Sequence, residues 1–385
     1  MKNIDKNIVA MGWVSFFTDM ASSMVTTLLP IFVVYVLHEG VDKLGIIIAI
    51  ATFVSYALRI LFGYLSDRFG IVKPFVVSGY LISALSKPLL MYAHSFTAVA
   101  GLRAFERMGK AVRSASKDAL ISSYTQKGAS GKGFGFHKMM DVSGELSGAL
   151  LIVLLFFFTA QNEALIRAIF GYTLIPGLIA VLIVVFFVKD APAKPKTKAT
   201  VVNTKDYRLF WVLGSYFLFL FFFLSDHFFI VEARAAGMTL SQIPLLVIAS
   251  TLTQALMSYY SGTLIDRVGT HVMLLVAYLF GVLSIIALDF HRFWLTFIFF
   301  GLFTVVSLNT LRAYISAEAL SKGFVYGVMY GGIALFGALG ALAAGYIWKL
   351  YGFGMMIDFS LIGTGSMSLL MLILLIKHYK VITVR

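Results

Sequence analysis

The sequence predicts an all-α membrane protein of twelve transmembrane helices arranged as two pseudo-symmetric six-helix halves. Three observations predict it. Of 385 residues, 60% are hydrophobic and only 13% charged, with a mean hydropathy of +0.91; so few charged groups cannot solvate a globular surface of that size. The apolar residues fall in blocks of roughly twenty, the length that crosses about 30 Å of hydrocarbon at 1.5 Å per helical residue. A charged, glycine-bounded element that follows the second block returns after the eighth.

Polar punctuation between blocks places spans near 8–36, 44–63, 74–93, 96–122, 132–159 and 164–188, then near 208–233, 240–262, 271–289, 292–320, 323–350 and 354–377. Lysines precede the first block as in a signal peptide, but Asp19 inside it and the lack of a small-x-small cleavage pattern predict a retained first span. The formal charge of +13 follows the membrane: with the N-terminus inside, most of the 31 Lys and Arg fall at one face. That bias predicts a multi-pass protein of the cell (inner) membrane with both termini cytoplasmic, and it accounts for the basic charge without nucleic acid. The richest basic segment runs from Lys189 to Arg208 with Pro192 and Pro195. It reads as a solvated linker facing anionic lipid, which divides the chain into an N-terminal half (1–188), a basic linker (189–207) and a C-terminal half (208–385). No cysteine occurs, so disulfides, thiolate metal sites and thiol nucleophiles are excluded together.

The repeat supports the division. Gly63-Tyr-Leu-Ser-Asp67-Arg68-Phe-Gly70 returns as Gly262-Thr-Leu-Ile-Asp266-Arg267-Val-Gly269, and Gly131-Lys-Gly-Phe is echoed by Ser321-Lys-Gly-Phe, each opening the fifth span of its half. Two landmarks in one order mark a duplicated six-span unit.

The Gly-x-Leu-x-Asp-Arg-x-Gly element between the second and third spans resembles the signature loop of the major facilitator superfamily, and its second copy lies where that family places it. The resemblance covers the whole chain and implies a transporter. It gives Gly63, Asp67, Arg68, Gly70 and their counterparts Gly262, Asp266, Arg267 and Gly269 a gating role at the cytoplasmic face. Ile71 and Val72 stand where the family usually carries a basic pair, with Lys73 arriving only afterwards. The stretch from Arg103 to Leu120, with Gly135-Phe-His-Lys-Met-Met-Asp141, is similar to a prokaryotic branch of mostly unassigned substrate. Ser147-Gly148-Ala149 lacks the Gly-Pro element of many antiporters, so drug:proton antiport loses support.

An ionisable group at mid-bilayer costs at least about 2.5–3.5 kcal/mol, so each demands a partner or an aqueous cavity. Arg103, Arg107 and Lys110 recur at helical spacing on the fourth span with Glu106 beside them, while His137, Asp141 and Glu145 recur every four residues on the fifth. Asp19 lies about 17 Å into the first span. Resemblance places Asp19 and the Arg103 stripe on the cavity, since the superfamily lines it with the first and fourth spans of each half. For Glu106, Arg107, Lys110 and Asp141, structural ion pairing and function stay equally open. Asp19 and Glu145, with Glu106, are the coupling candidates.

The seventh span differs: Tyr216, Phe219, Phe222 and Phe223 belong to an almost wholly aromatic and aliphatic run ending in Asp226 and His227. Most of those rings are expected against lipid or neighbouring helices, with some walling an apolar cavity alongside Asn309. Adjacent residues on a helix diverge by about 100°, so Asp226 and His227 do not by themselves make a metal site. Gly144 with Gly148 and Gly327 with Gly331 are small-xxx-small pairs expected at close helix crossings.

No His-Glu-x-x-His, Gly-x-Ser-x-Gly or phosphate-loop motif appears, so neither enzyme, cofactor nor ATP-driven pump is expected. The reading is a proton- or ion-linked secondary transporter, expected to act as a monomer in the bilayer on a small-molecule substrate. An organic anion or zwitterion is favoured, held by Arg103, Arg107 and Lys110, with Tyr216, Phe219, Phe222, Phe223, Asp226, His227 and Asn309 taking the rest. The rivals are a drug or metal-ion exporter of the same fold, a non-transporting receptor or scaffold, and, third, a membrane-embedded enzyme.

Overall fold

The structure, a computed structural model, describes residues 5–69, 72–124, 130–190, 207–319 and 322–383. The described residues are overwhelmingly helical and contain no strand. Helix α1 (Lys6–Ile31) is capped by the Asp5 carboxylate, which accepts from the Asn7 amide, and after Pro30 it widens into a π turn over Phe32–Val36. A proline removes one backbone donor and crowds the preceding turn, which accounts for the change of pitch. Helices α2 (Val41–Phe69) and α3 (Lys73–Ser86) follow, and Pro88 turns the end of the third span into a 3-10 segment, Pro88–Tyr92. Next come α4 (Phe96–Tyr124), α5 (Ser130–Phe158) and a sixth span in two pieces, α6 (Glu163–Tyr172) and α7 (Leu174–Phe187).

The second half holds α8 (Tyr207–Phe222), α9 (Asp226–Ala235), α10 (Ile243–Val268), α11 (Thr270–Asp289), α12 (Phe293–Glu318) and α13 (Lys322–Thr383). The seventh span, expected to be continuous, is broken. Ser225 is extended and its hydroxyl accepts from the His227 amide, so a second helix starts at Asp226. Inside α13, Gly352 takes φ +87°, a left-handed conformation that side chains avoid, and there the run divides.

Among the described residues, nine helices are long and apolar enough to cross a membrane. The difference from the expected twelve has a physical source in two places: helix α4 carries too many charges to qualify, and α13 forms one stretch, Phe324–Ile373, across the Gly352 bend. Helix α10 adds a further apolar segment, Ile243–Ser258.

The chain forms two compact units. In the first (residues 1–39, 50–197 and 239–248), α1 packs on α5 and α7, and α3 on α4 and α7. A Cβ on Gly144 would stand 2.1 Å from the Phe16 carbonyl oxygen and one on Gly148 2.4 Å from that of Met20, so the α1–α5 crossing depends on both glycines. In the second unit (40–49, 198–238 and 249–385), α8 packs on α13, and α11 on α12 and α13. Gly327 and Gly331, expected at a close crossing, face no neighbour among the described residues. The close approaches lie instead at Gly332, under the Phe217 ring, and at Gly340, against the Phe221 carbonyl. The opening turns of α2 belong to this second unit, where the Lys349 ammonium donates to Asp42 at 3.0 Å.

Candidate functional site: a charged core in the first unit

Helix α4 supplies the basic stripe. Arg103 is 2% exposed and its Nη1 donates to Oε2 of Glu106, a turn ahead; Arg107 approaches the same oxygen at 3.7 Å. One carboxylate thus serves two guanidinium groups, and Nε of Arg103 stays buried without a partner among the described residues. Lys87, 1% exposed at the end of α3, reaches the Thr18 carbonyl at 3.4 Å. Arg113 lies 4.4 Å above the Tyr80 ring and donates to the Gly79 carbonyl at 3.4 Å.

The acidic partners come from α1 and α5. Asp141 accepts from the Ser15 hydroxyl and lies 3.3 Å from Nδ1 of His137, whose Nε2 is buried without a partner among the described residues. Asp19 and Lys110 are each half-buried, and neither side chain has a hydrogen bond or an ion pair among the described residues. Each sits near the middle of its helix: Asp19 is about 20 Å past the start of α1 and Lys110 about 21 Å past that of α4. The charges acting on Asp19 are, in order, those of Asp141, Lys110, Lys117 and Arg113. Glu145 is half-buried one turn beyond Asp141.

The structure therefore gathers Asp19, Arg103, Glu106, Arg107, Lys110 and Glu145 onto three helices of one unit, with Glu106 already committed to two arginines. Arg113 and Lys117 belong to the same core but were not singled out in the sequence. Lys117 lies seven residues after Lys110, two further helical turns along the stripe, and that spacing is the signal that finds it. Ser15 and Tyr80 carry no sequence signal of their own.

The aromatic residues of the second unit are placed differently. Phe219 is fully enclosed, stacked 4.3 Å from Tyr278, and Phe223 lies 4.4 Å from Phe303. Tyr216 is buried with its hydroxyl 3.2 Å from that of Ser307. These rings fill the interior of their unit, because α8 is flanked by aromatic faces of α11 and α12. Phe222 points another way, onto Phe221, Phe359 and Gly363. Asp226 and His227 pair at 3.0 Å beside Ser225, and Asn309 donates to Ser261 at 2.9 Å. Among the described residues no group of three or more metal-ligating side chains forms. Of the loop residues, Gly262 is half-buried and Arg267 and Gly269 exposed, with Gly269 at φ +88° opening α11. Gly70 and the side-chain surroundings of Gly63, Asp67, Arg68 and Asp266 lie outside the described residues.

Comparison with known proteins gives this arrangement its context. The family model of the Major Facilitator Superfamily matches residues 11–234, more than half of the chain. An uncharacterised MFS-type transporter of Methanocaldococcus jannaschii is 31% identical over 372 residues, covering 91% of this chain and 90% of that protein. An uncharacterised protein of Mycobacterium tuberculosis is 23% identical over 326 residues, covering 80% and 78%. Among solved structures, a mutant of the nucleoside transporter NupG superposes with a TM-score of 0.79 at 14% identity, covering 94% of this chain and 97% of that one. A bacterial homologue of the human lysosomal transporter Spinster, inward-facing and unoccupied, gives 0.70 at 15% identity over 96% and 94%.

Proposed function

Because this chain belongs to the major facilitator superfamily, we propose that it is a secondary active transporter moving a small organic solute by alternating access, coupled to protons. One observation carries the proposal: the side chains of Asp19 and Lys110, both near mid-helix and half-buried, have no hydrogen bond or ion pair among the described residues. Charge held by neither a hydrogen bond nor a close ion pair is costly at that depth, by at least about 2.5 kcal/mol on the insertion scale. A site whose charges have no fixed partners is completed by partners that come and go. A proton completes Asp19, and an acidic group of the cargo completes Lys110.

Glu145 is the second coupling candidate. Glu106, held by Arg103 and Arg107, acts through them as the fixed centre of the core. The protein works in the cytoplasmic membrane with both termini inside, and the two Asp-Arg loops gate its cytoplasmic face. At 14–15% identity the solved transporters share the fold. The class of cargo, an organic anion or zwitterion, is argued from this chain's own charges.

The test is proton flux in proteoliposomes loaded with a pH-reporting dye. Adding small organic anions and zwitterions one at a time should move protons with at least one of them, and Asp19→Asn should abolish the signal. Silence across the panel, or full flux in Asp19→Asn, overturns the reading.

A further inference from the structure

Building on that reading, we propose that Arg107 and Lys110 form a clamp for a tetrahedral oxyanion, a phosphate or phosphate monoester on the cargo. The two residues lie three apart on α4, about 4.5 Å along its axis and on one face. Arg107 makes no hydrogen bond among the described residues, only the 3.7 Å approach to Glu106, and Glu106 is already held by Arg103. Lys110 makes none. A guanidinium carries five N–H donors and an ammonium three, so two adjacent cations hold most of their donors unused. A ligand that fills them has to bring several acceptor oxygens on one head.

The charge balance sets the sign of that head. Six cations, Lys87, Arg103, Arg107, Lys110, Arg113 and Lys117, surround this core, against five carboxylates, Asp19, Glu106, Asp118, Asp141 and Glu145. The balance stays positive. Arg113 is fixed on Tyr80 and Gly79, and Lys87 is buried against Thr18, so the surplus that a ligand meets lies on the Arg107–Lys110 face. An arginine fork beside a lysine point charge also suits the geometry of a tetrahedral oxyanion. Nε of Arg103, 2% exposed and unpartnered, adds an unused buried donor one turn away.

The test uses the full-length purified protein at mildly alkaline pH, where inorganic phosphate is largely dianionic. Thermal unfolding is followed while phosphate, sulfate or acetate is titrated at matched ionic strength. Phosphate and sulfate should stabilise saturably and acetate should not. Arg107→Gln and Lys110→Gln should each raise the half-saturating phosphate concentration about tenfold or more, while Lys189→Gln, at an exposed position, leaves it unchanged. Equal stabilisation by acetate and phosphate, or unchanged half-saturation in both variants, overturns the clamp. If either variant fails to fold, the phosphate-to-acetate contrast in the unmodified protein decides alone. The two proposals fail separately: phosphate binding without proton flux for any solute removes the transporter, and proton-linked flux confined to neutral or zwitterionic solutes removes the clamp.

Discussion

Arg103 and Arg107 share one oxygen, Oε2 of Glu106. The carboxylate is almost wholly enclosed, and removing one member of a buried ion group leaves the others without compensation, at about 3–5 kcal/mol. Glu106→Gln is therefore expected to lower stability by that order in denaturant unfolding. Replacing the trio together, with Met at 103, Leu at 106 and Met at 107, should recover most of the loss. A Glu106→Gln protein as stable as its parent would return Glu106 to the coupling candidates.

Asp19 and Glu145 call for a different assay, one that separates coupling from stability. With a solute identified by proton flux, Asp19→Asn should retain energy-independent exchange across vesicles while losing accumulation driven by a pH gradient. Glu145→Gln should behave likewise if it shares the task. Full gradient-driven accumulation in both variants would assign the two carboxylates to structure.

Glycine packing gives a prediction free of electrostatics. At Gly144 a methyl group meets the backbone of Phe16, which cannot swing aside, so Gly144→Ala should destabilise by about 1–3 kcal/mol. At Gly327 nothing lies within reach among the described residues, and Gly327→Ala should be neutral or stabilising by up to about 1 kcal/mol. Thermal unfolding of the two variants side by side checks both; the reverse order would contradict the α1–α5 crossing.

Topology follows from the basic residues. A cytoplasmic reporter fused at Lys198 or after Arg385 should be active, and a periplasmic reporter silent, because flanking lysines and arginines resist translocation. Periplasmic activity at either position would overturn the twelve-span orientation.

Much of this architecture is legible in the sequence because hydropathy and span length are one-dimensional properties. Block spacing locates the helices, and the recurrence of Arg103, Arg107 and Lys110 locates the charged core. What stays hidden depends on rotation and neighbours. Gly144–Gly148 and Gly327–Gly331 are the same pattern, yet among the described residues only the first pair meets another backbone. Phe219 and Phe222 stand in one aromatic run, yet one is enclosed beside Tyr278 and the other turns toward Phe359. Helix α4 shows the opposite failure: its charges, which mark the site, also remove it from the apolar helices. The break at Ser225 is written as Ser-Asp, a pair that favours helix starts, and the structure follows that local signal through an apolar run on both sides.

That break has a mechanical consequence. Ser225 ends the regular hydrogen-bond ladder of the seventh span, and the next stretch, Asp226–Ala235, is a short rod anchored by its own cap. Such a joint bends without breaking a continuous helix, so deformation of this span should concentrate at Leu224–Asp226 while the segments on either side stay stiff. Amide hydrogens there should exchange with solvent deuterium faster than those of Leu213–Phe219, an island of compliance inside an otherwise rigid helix.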